Sequence, residues 1–495
     1  MAQKPAFLFE KLGRRIGVST GTGDFYELSP AVYKALKKWN SAIEEKGGKL
    51  STAAAEKLAR GFSVPAEISA LFPLRAARSG PPDIRARLTD LTLNITSDCN
   101  LRCVYCWNDT GKYSNGSFKK AKSARPEAAA CPPPMSVETA CRAVDLLVKM
   151  SRGEKQLVVD FYGGEPLKNL PTLLGAVAYC KALGKKTNIR FHFLLATNGT
   201  LLTPALAEKL LGLGVQIAVS VDGPRKLHDR NRPFHDGKGS FAAIARNLRN
   251  MRPETRRRLV GRTTVTPYYT DMVALYRNLK DLGFERVEIF ESEDACHKIT
   301  PGREAVFFHK EKDFRRILGE YDLLAGKYSD EAVKGVLDYG KTFFNRFFKL
   351  MQRLYYNQQV TGGCPAAQGQ IAVSSDGEIF PCTSFIGIKA FSLGNVHSGL
   401  DRKKHLSLLR KTAGRFRRCA GCEIFSVCGT TGSCLNINHY FNGDVSRPHA
   451  RSCRLFTEKI KLAMAVLADL SERMPDRLEA LFGHDPVGRR GNELY

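Results

Sequence analysis

Ten of the 14 cysteines fall into two groups. The first is Cys99, Cys103 and Cys106, a C-x3-C-x2-C triplet in the run Thr96-Ser97-Asp98-Cys99-Asn100-Leu101-Arg102-Cys103-Val104-Tyr105-Cys106. Soft thiolate ligands select zinc, copper(I) or iron–sulfur clusters. Three thiolates on one short loop can hold three irons of a [4Fe–4S] cube and leave the fourth iron open to a small-molecule ligand. The alternative is a structural zinc loop or a set of redox thiols; zinc ribbons normally pair two C-x2-C elements and supply a fourth ligand. The second group is Cys364, Cys382, Cys419, Cys422, Cys428, Cys434 and Cys453, seven cysteines within about 90 residues. That density predicts two further metal clusters rather than core thiols. Of the remaining four, Cys141 and Cys180 fall in predicted helices as core residues, Cys296 is unassigned, and Cys131 stands beside Pro132-Pro133-Pro134 in the loop after the triplet.

The elements that must position these groups are legible from residue 88 onward. Apolar β-type runs at 91–96, 157–162, 189–196, 215–221, 259–266 and 286–290 alternate with helical stretches near 136–150, 170–183, 204–213, 239–251 and 270–282. Such alternation predicts an α/β fold with a parallel sheet, and six units suit an open partial (β/α)6 barrel better than the closed eight-unit form. Chemistry in parallel barrels sits at the C-terminal strand ends, where the triplet lies, directly after the first strand. Before this region, residues 6–28 read as two short strands around the turn-rich Ser19-Thr20-Gly21-Thr22-Gly23, followed by a helix over 29–45 and polar helices to about residue 72. Arg78-Ser79-Gly80-Pro81-Pro82 reads as a linker.

Composition narrows the class. The chain has 495 residues, 43% hydrophobic, with a formal charge of +27. Collagen, coiled-coil and low-complexity chains are excluded. No run of about 18 apolar residues occurs, and Met1-Ala2-Gln3-Lys4-Pro5 lacks the apolar stretch of a secretory signal. A cytoplasmic protein without a membrane span is therefore expected, and disulfides explain its cysteines poorly. Basic patches at Lys119-Lys120-Ala121-Lys122, Arg256-Arg257-Arg258 and residues 401–418 attract nucleic acid or an acidic peptide without choosing between them; solvated faces are the bland alternative.

The triplet, with Tyr105 before its last cysteine, resembles the cluster motif of the radical S-adenosylmethionine (SAM) enzymes. The resemblance continues in Phe161-Tyr162-Gly163-Gly164-Glu165-Pro166, in Ala196-Thr197-Asn198-Gly199-Thr200 and in Ser220-Val221-Asp222-Gly223-Pro224, all at strand ends. It implies a [4Fe–4S] cluster on Cys99, Cys103 and Cys106. It also implies a SAM site containing Tyr105, Gly163, Gly164, Glu165 and Asn198, with the Gly-Gly-Glu segment binding the methionine amino group. By the same resemblance Ser220 and Asp222 lie near the ribose and Arg232 pairs with the methionine carboxylate; polar caps at strand ends are the alternative for these three. Reductive cleavage of SAM would yield a 5′-deoxyadenosyl radical that abstracts hydrogen from carbon. No catalytic base is assigned.

The second cysteine group, with Asp376-Gly377-Glu378-Ile379-Phe380-Pro381-Cys382 and Leu393-Gly394-Asn395-Val396, resembles the SPASM extension of radical SAM enzymes that modify peptides and proteins. The resemblance implies one auxiliary cluster on Cys419, Cys422, Cys428 and Cys453 and another on Cys364, Cys382 and Cys434. The family usually places three residues between the last pair of the central group, whereas five separate Cys428 from Cys434. Some relatives place a fourth cysteine before the first of these, where Asn357, Gln358, Gln359, Val360 and Thr361 stand here. An open iron able to take a substrate thiolate suits thioether formation, while a remote ligand would close it.

Residues 1–80 resemble a leader-peptide recognition module, 88–325 the partial barrel, 326–360 a helical linker, 361–460 the SPASM region and 461–495 a C-terminal helix and tail. The implied partners are a precursor peptide or protein, favoured as acidic by the basic patches, and a low-potential donor such as ferredoxin or flavodoxin. The expected function is peptide maturation by cross-linking, such as a thioether. Two readings compete. Anaerobic sulfatase-type formylglycine formation typically places an aspartate base after the second SPASM-region cysteine, where Thr383 stands. A nucleic-acid-binding iron–sulfur protein would suit the charge, but no helix-turn-helix or aromatic-rich single-strand motif accompanies it.

Overall fold

The computed structural model describes residues 4, 6–20, 22–45, 59–71, 87–106, 132–291, 315–316, 319, 345–356, 364–419, 421–430, 434–473 and 475. The sequence expectations for the 78–82 linker, for Asn357–Thr361, for Cys131 and for Cys296 lie outside these residues.

At the N-terminus, β1 (Ala6–Lys11), β2 (Arg14–Ser19) and β3 (Phe25–Glu27) form an antiparallel sheet in the order β1-β2-β3. The sequence reading of two strands around Ser19–Gly23 is corrected to three. It missed the turn at Leu12-Gly13, whose positive φ values of 50° and 75° are what a two-residue hairpin needs. The Ser19–Gly23 turn instead joins β2 to β3, with Gly23 N donating to Ser19 O at 2.8 Å. The helix Pro30–Glu45 covers this sheet through Leu36, Trp39 and Ile43, all buried.

The barrel strands fall close to the predicted runs: β4 (Asp90–Thr96), β5 (Gln156–Gly163), β6 (Arg190–Thr197), β7 (Val215–Ser220), β8 (Val260–Val265) and β9 (Arg286–Glu291). All five successive pairings are parallel. Crossover helices start where caps dictate. Ser136 Oγ accepts from Thr139 N at 3.0 Å, Thr203 caps a helix with Pro204 in its first turn, and Asp271 accepts from Ala274 N at 2.9 Å.

Six strands were expected in this sheet, and among the described residues it has eight. Residues of the cysteine-rich region supply β10 (Gln370–Val373), parallel to β4, and β11 (Ile379–Phe380), giving the order β11-β10-β4-β5-β6-β7-β8-β9. Gly369 O accepts from both Thr89 N and Asp90 N, which fastens the entry of β10 to that of β4. Farther along, β12 (Gly394–Asn395) and β13 (Gly399–Leu400) form a small hairpin. The last described helix, Ala450–Arg473, packs its apolar face into the same core as β1, β2 and the barrel. Among the described residues, no helix is long and apolar enough to cross a membrane.

Candidate active site

The loop after β4 is strapped to the segment after β7. Arg102 N donates to Pro233 O at 2.8 Å, Val104 N to Asn231 O at 2.9 Å, and a His235 ring nitrogen lies 2.7 Å from Cys99 O. This arrangement gathers the triplet. Burial and the neighbouring Cys103 push the Cys99 thiol well up, and burial pushes Cys103 up to about 12 against the pull of Arg232. Thiolates there call for a strongly positive partner, and binding such a partner would release protons. Among the described residues, no three His, Cys, Asp or Glu groups converge as ligands of one ion would. Three soft thiols on one loop are donors of the kind an iron–sulfur cluster takes.

The end of β5 locks onto the same loop. Gly164 N donates to Thr96 O at 2.7 Å and Glu165 N to Asp98 O at 2.9 Å. A Cβ on Gly164 would fall 2.0 Å from Asp98 O, and Gly163 holds φ +132° with an added Cβ only 2.1 Å from Asn94 Oδ1. Only glycine permits this approach. Glu165 is buried; its Oε1 accepts from Leu167 N at 3.1 Å and Thr197 Oγ1 at 2.7 Å, and its Oε2 from Asn198 N at 2.7 Å. Burial raises its carboxyl and these hydrogen bonds oppose the rise. Asn198 Nδ2 reaches Asn100 Oδ1 at 2.8 Å and lies 3.9 Å from Cys99 Sγ, so the strand-end segments at Glu165 and Asn198 both abut the triplet.

Asp222 and Arg232, expected at different parts of SAM, meet each other here. Asp222 is fully buried; Arg232 Nε lies 3.1 Å from its Oδ1, Asn231 Nδ2 donates to its Oδ2 at 3.1 Å, and the Tyr105 hydroxyl donates to the same oxygen. Thr264 N completes the set at 3.2 Å. Arg232 also lies 3.9 Å from Cys103 Sγ and over the Tyr105 ring at 5.2 Å. Burial pulls its guanidinium down, but Asp222, Tyr105 and Cys103 together outweigh that and leave it raised. Ser220, half-buried at the end of β7, is in register with Arg262. Near this loop, Asn94 Oδ1 and Asn231 Oδ1 are buried acceptors with no hydrogen-bond partner among the described residues. A ligand rich in donors, as SAM is in its ammonium, ribose hydroxyls and adenine amine, fits that need.

Several charged groups escaped the sequence reading. Asp160, mid-strand in β5, Arg262 in β8 and Glu288 in β9 act on one another, with Arg262 Nε 2.9 Å from Glu288 Oε2. Although β6 and β7 separate Asp160 from Arg262 in the sheet, the two act on each other electrostatically. Burial raises Asp160 to about 7 despite Arg262. A charge in the middle of an otherwise apolar parallel strand was the available signal.

In the cysteine-rich region, Cys419 feels Cys453, Cys428 and Cys422 and is pushed up to about 12, chiefly by burial. Burial likewise raises Cys382 to about 12, and Cys364 adds to the rise. Arg415, only 1% exposed, faces Cys364, Cys419 and Cys434, which partly offset the downward pull of burial on its guanidinium. Arg353 faces Cys428. Cys180 is buried as expected, and Cys141 is half-buried.

A half-open parallel barrel with a three-thiol loop at the end of its first strand, a Gly-Gly-Glu lock on the second, and a C-terminal cysteine-rich extension of the same sheet defines a class of radical enzyme. Residues 93–286 match the family described as the Radical SAM superfamily, so the chain carries a radical SAM domain. The family implies a [4Fe–4S] cluster and bound SAM.

It is 30% identical over 150 residues to the uncharacterized protein MJ0907 of Methanocaldococcus jannaschii, an alignment covering 30% of this chain and 44% of that relative. With the radical SAM cyclopropyl synthase TigE of Paramaledivibacter caminithermalis it shares 20% identity over 381 residues, 74% of this chain and 72% of TigE. With the cysteine-type anaerobic sulfatase-maturating enzyme of Clostridium perfringens it shares 21% over 343 residues, 67% and 85% respectively. In fold it is similar to anSMEcpe bound to AdoMet and the Cp18Cys peptide, with a TM-score of 0.61 at 20% identity over 78% of this chain and all of that one. The relatives that carry a function in their names are thus a radical SAM synthase and a sulfatase-maturating enzyme.

Proposed function

We propose that this enzyme matures a ribosomally made peptide or protein in the cytoplasm by installing a cross-link, such as a thioether, with the help of two auxiliary iron–sulfur clusters. The observation that carries this reading is the grouping of seven C-terminal thiols. Cys419, Cys422, Cys428 and Cys453 act on one another, Cys364 acts on Cys382, and Cys364 and Cys434 both act on Arg415. Four thiols in the first set suit a closed cluster, and three in the second suit one with an open position.

In this proposal Cys99, Cys103 and Cys106 hold the radical cluster. Glu165 and Asn198 receive the SAM amino acid, and Arg232 with Asp222, Ser220 and Tyr105 shapes the remainder of its pocket. When bound, the reduced cluster and SAM supply a 5′-deoxyadenosyl radical that takes a hydrogen atom from substrate carbon. Asp160, Arg262 and Glu288 form a charged group on β5, β8 and β9 that would offer partners to a polar peptide backbone. Forming a C–S bond from C–H and S–H removes one hydrogen atom to 5′-deoxyadenosine, one proton to solvent and one electron to an acceptor.

Two measurements test the proposal. Iron analysis of anaerobically reconstituted protein should give about three [4Fe–4S] clusters per chain, and iron near four per chain would remove the auxiliary pair. Mass spectrometry of a processed peptide should show a loss of about 2 Da per link with one cysteine no longer alkylatable. Formylglycine formation is the second reading, favoured by the Clostridium perfringens relative. A carbonyl product with free cysteines would establish it in place of the thioether, although Thr383 occupies the position of that reaction's base.

A further inference from the structure

The helix Arg402–Cys419 has two chemically distinct sides. Its inner side buries His405, Leu408, Leu409, Thr412 and Ala413. Its outer side carries two basic rows, Lys403, Arg410 and Arg417 beside Lys404, Lys411 and Arg418, all six exposed. Seven residues are just under two helical turns, so the members of each row stack along the axis about 10 Å apart, and the rows together run for about 22 Å. Among the described residues, two acids face this charge: Asp401 lies 3.9 Å from Lys404 and Asp444 lies 3.2 Å from Arg418. Lys403, Arg410, Lys411 and Arg417 make no ion pair with any described residue.

Apolar groups border the rows. Leu406, three residues from Lys403 and four from Arg410 on the same helix, is 45% exposed. Asp444, the partner of Arg418, follows the helix Leu435–Asn442, whose exposed Tyr440 and Phe441 set their rings 4.8 Å apart. Arginine and aromatic side chains beside an exposed leucine are the composition of a protein–protein contact, whereas a face that is merely solvated has no need of the apolar members. The rows end at Cys419, and the exposed Cys422 donates its backbone N–H to Cys419 O at 2.9 Å. The basic strip therefore leads to a point where one C-terminal cysteine set meets the surface.

We propose that this helix face docks an acidic one-electron carrier protein, of the flavin or iron–sulfur kind, which delivers its electron at the Cys419–Cys422 end. The inference rests on the reading given above in which those cysteines belong to an auxiliary cluster. Reductive cleavage of SAM consumes one electron, and that electron comes from outside the chain. In the docked pair the reduced carrier loses one electron, one [4Fe–4S]2+ centre becomes [4Fe–4S]+, and no covalent bond changes. Opposite charge raises the rate of encounter, and a narrow strip suits the small, short-lived contacts of redox partners, which must separate after each transfer. Charges about 10 Å apart lie within about one Debye length at 0.1 M salt, so the rows act together there and are screened from each other at higher salt.

The test measures binding of oxidised ferredoxin and of oxidised flavodoxin to the full-length, anaerobically reconstituted enzyme by isothermal titration calorimetry at about 50 and 200 mM salt. Wild type should bind at least one carrier, about tenfold more weakly at the higher salt, and K403E/R410E/R417E should weaken binding about tenfold at the lower salt. R246E/R249E/R257E reverses as many exposed charges elsewhere and should stay within about twofold of wild type. With dithionite, K403E/R410E/R417E should form 5′-deoxyadenosine at the wild-type rate; with the carrier as electron source, its half-saturating carrier concentration should rise about tenfold. Absence of carrier binding to wild type, salt-independent binding, or equal weakening in both triple variants overturns the docking surface. So does carrier-driven cleavage that is unchanged in K403E/R410E/R417E while a Glu-rich peptide loses affinity, which would give the strip to the substrate. Duplex DNA that displaces the carrier at about 200 mM salt would give it to nucleic acid and likewise overturn the proposal. Wild type holding about four irons per chain would refute the auxiliary-cluster reading, while the calorimetry still decides the docking surface, so the two failures are read separately.

Discussion

At the scale of single residues, two buried titratable groups should tilt stability in opposite directions over the same pH range. His228 is fully buried, with one ring nitrogen 3.1 Å from Asp222 N and the other 2.9 Å from Ser240 Oγ, and burial lowers it from its ordinary 6.5 to about 4. Below 6.5 the unfolded chain takes up a proton that the folded chain refuses, so His228 favours folding above that pH and the benefit is lost as pH falls toward 4. The full swing is about 3 kcal/mol. Asp160 does the reverse. Its raised value lets the folded chain hold a proton that the unfolded one releases, so its contribution falls as pH rises from 3.8 through about 7. Denaturant midpoints across pH 4.5 to 7.5 should rise less steeply with pH in H228N and more steeply in D160N than in wild type. Curves parallel to wild type would dismiss either assignment. For the triplet, replacing Cys99, Cys103 and Cys106 together by Ala should reduce 5′-deoxyadenosine formation to background while about two clusters' worth of iron remains, and unchanged cleavage would sink the role given to those thiols.

At the scale of elements, the barrel was readable because long parallel strands repeat an apolar signal that short ones cannot. Each of β4 to β9 lies within a residue or two of its predicted run, since six to eight consecutive residues there must satisfy a buried ladder. The strands β10 and β11 span four and two residues, too few to show a period, and their place beside β4 is set by tertiary pairing alone. The pairing of Arg232 with Asp222 was hidden for the same reason: a sequence shows which residues are charged and not which of them face each other. A consequence can be tested by ending the chain near residue 360. Loss of β10 would leave β4 with an unpaired apolar edge, so the shortened protein should aggregate on size-exclusion chromatography even where its helices persist. A monodisperse product would mean that β10 is dispensable. The N-terminal sheet offers a smaller effect. Arg14 reaches Glu27 at 2.6 Å and Asp469 at 3.0 Å, joining the N-terminal sheet to the last helix. R14M should therefore loosen β1–β3 by about 1 kcal/mol in hydrogen exchange, with little effect on barrel amides.

At the scale of the whole molecule, +27 is a property of patches rather than of the catalytic centre, whose buried charges are largely paired. Duplex DNA should accordingly be retained at about 50 mM salt and released by about 200 mM, while SAM cleavage stays insensitive to added DNA. Inhibition of cleavage by DNA that survives high salt would argue for a nucleic-acid role. The pairing of Thr92 with Ala372 also carries a temporal meaning. The ladder that seals β4 joins residues 280 positions apart, so a ribosome adding about 5–20 residues per second needs on the order of 15–60 s between making the two partners. Throughout that interval the nascent strand bearing the three-cysteine loop has one side without its final neighbour. Chaperone cover, and iron delivery deferred until β10 has docked, are what such a chain demands of the cell that makes it, and expression hosts short of either should yield insoluble, iron-poor protein.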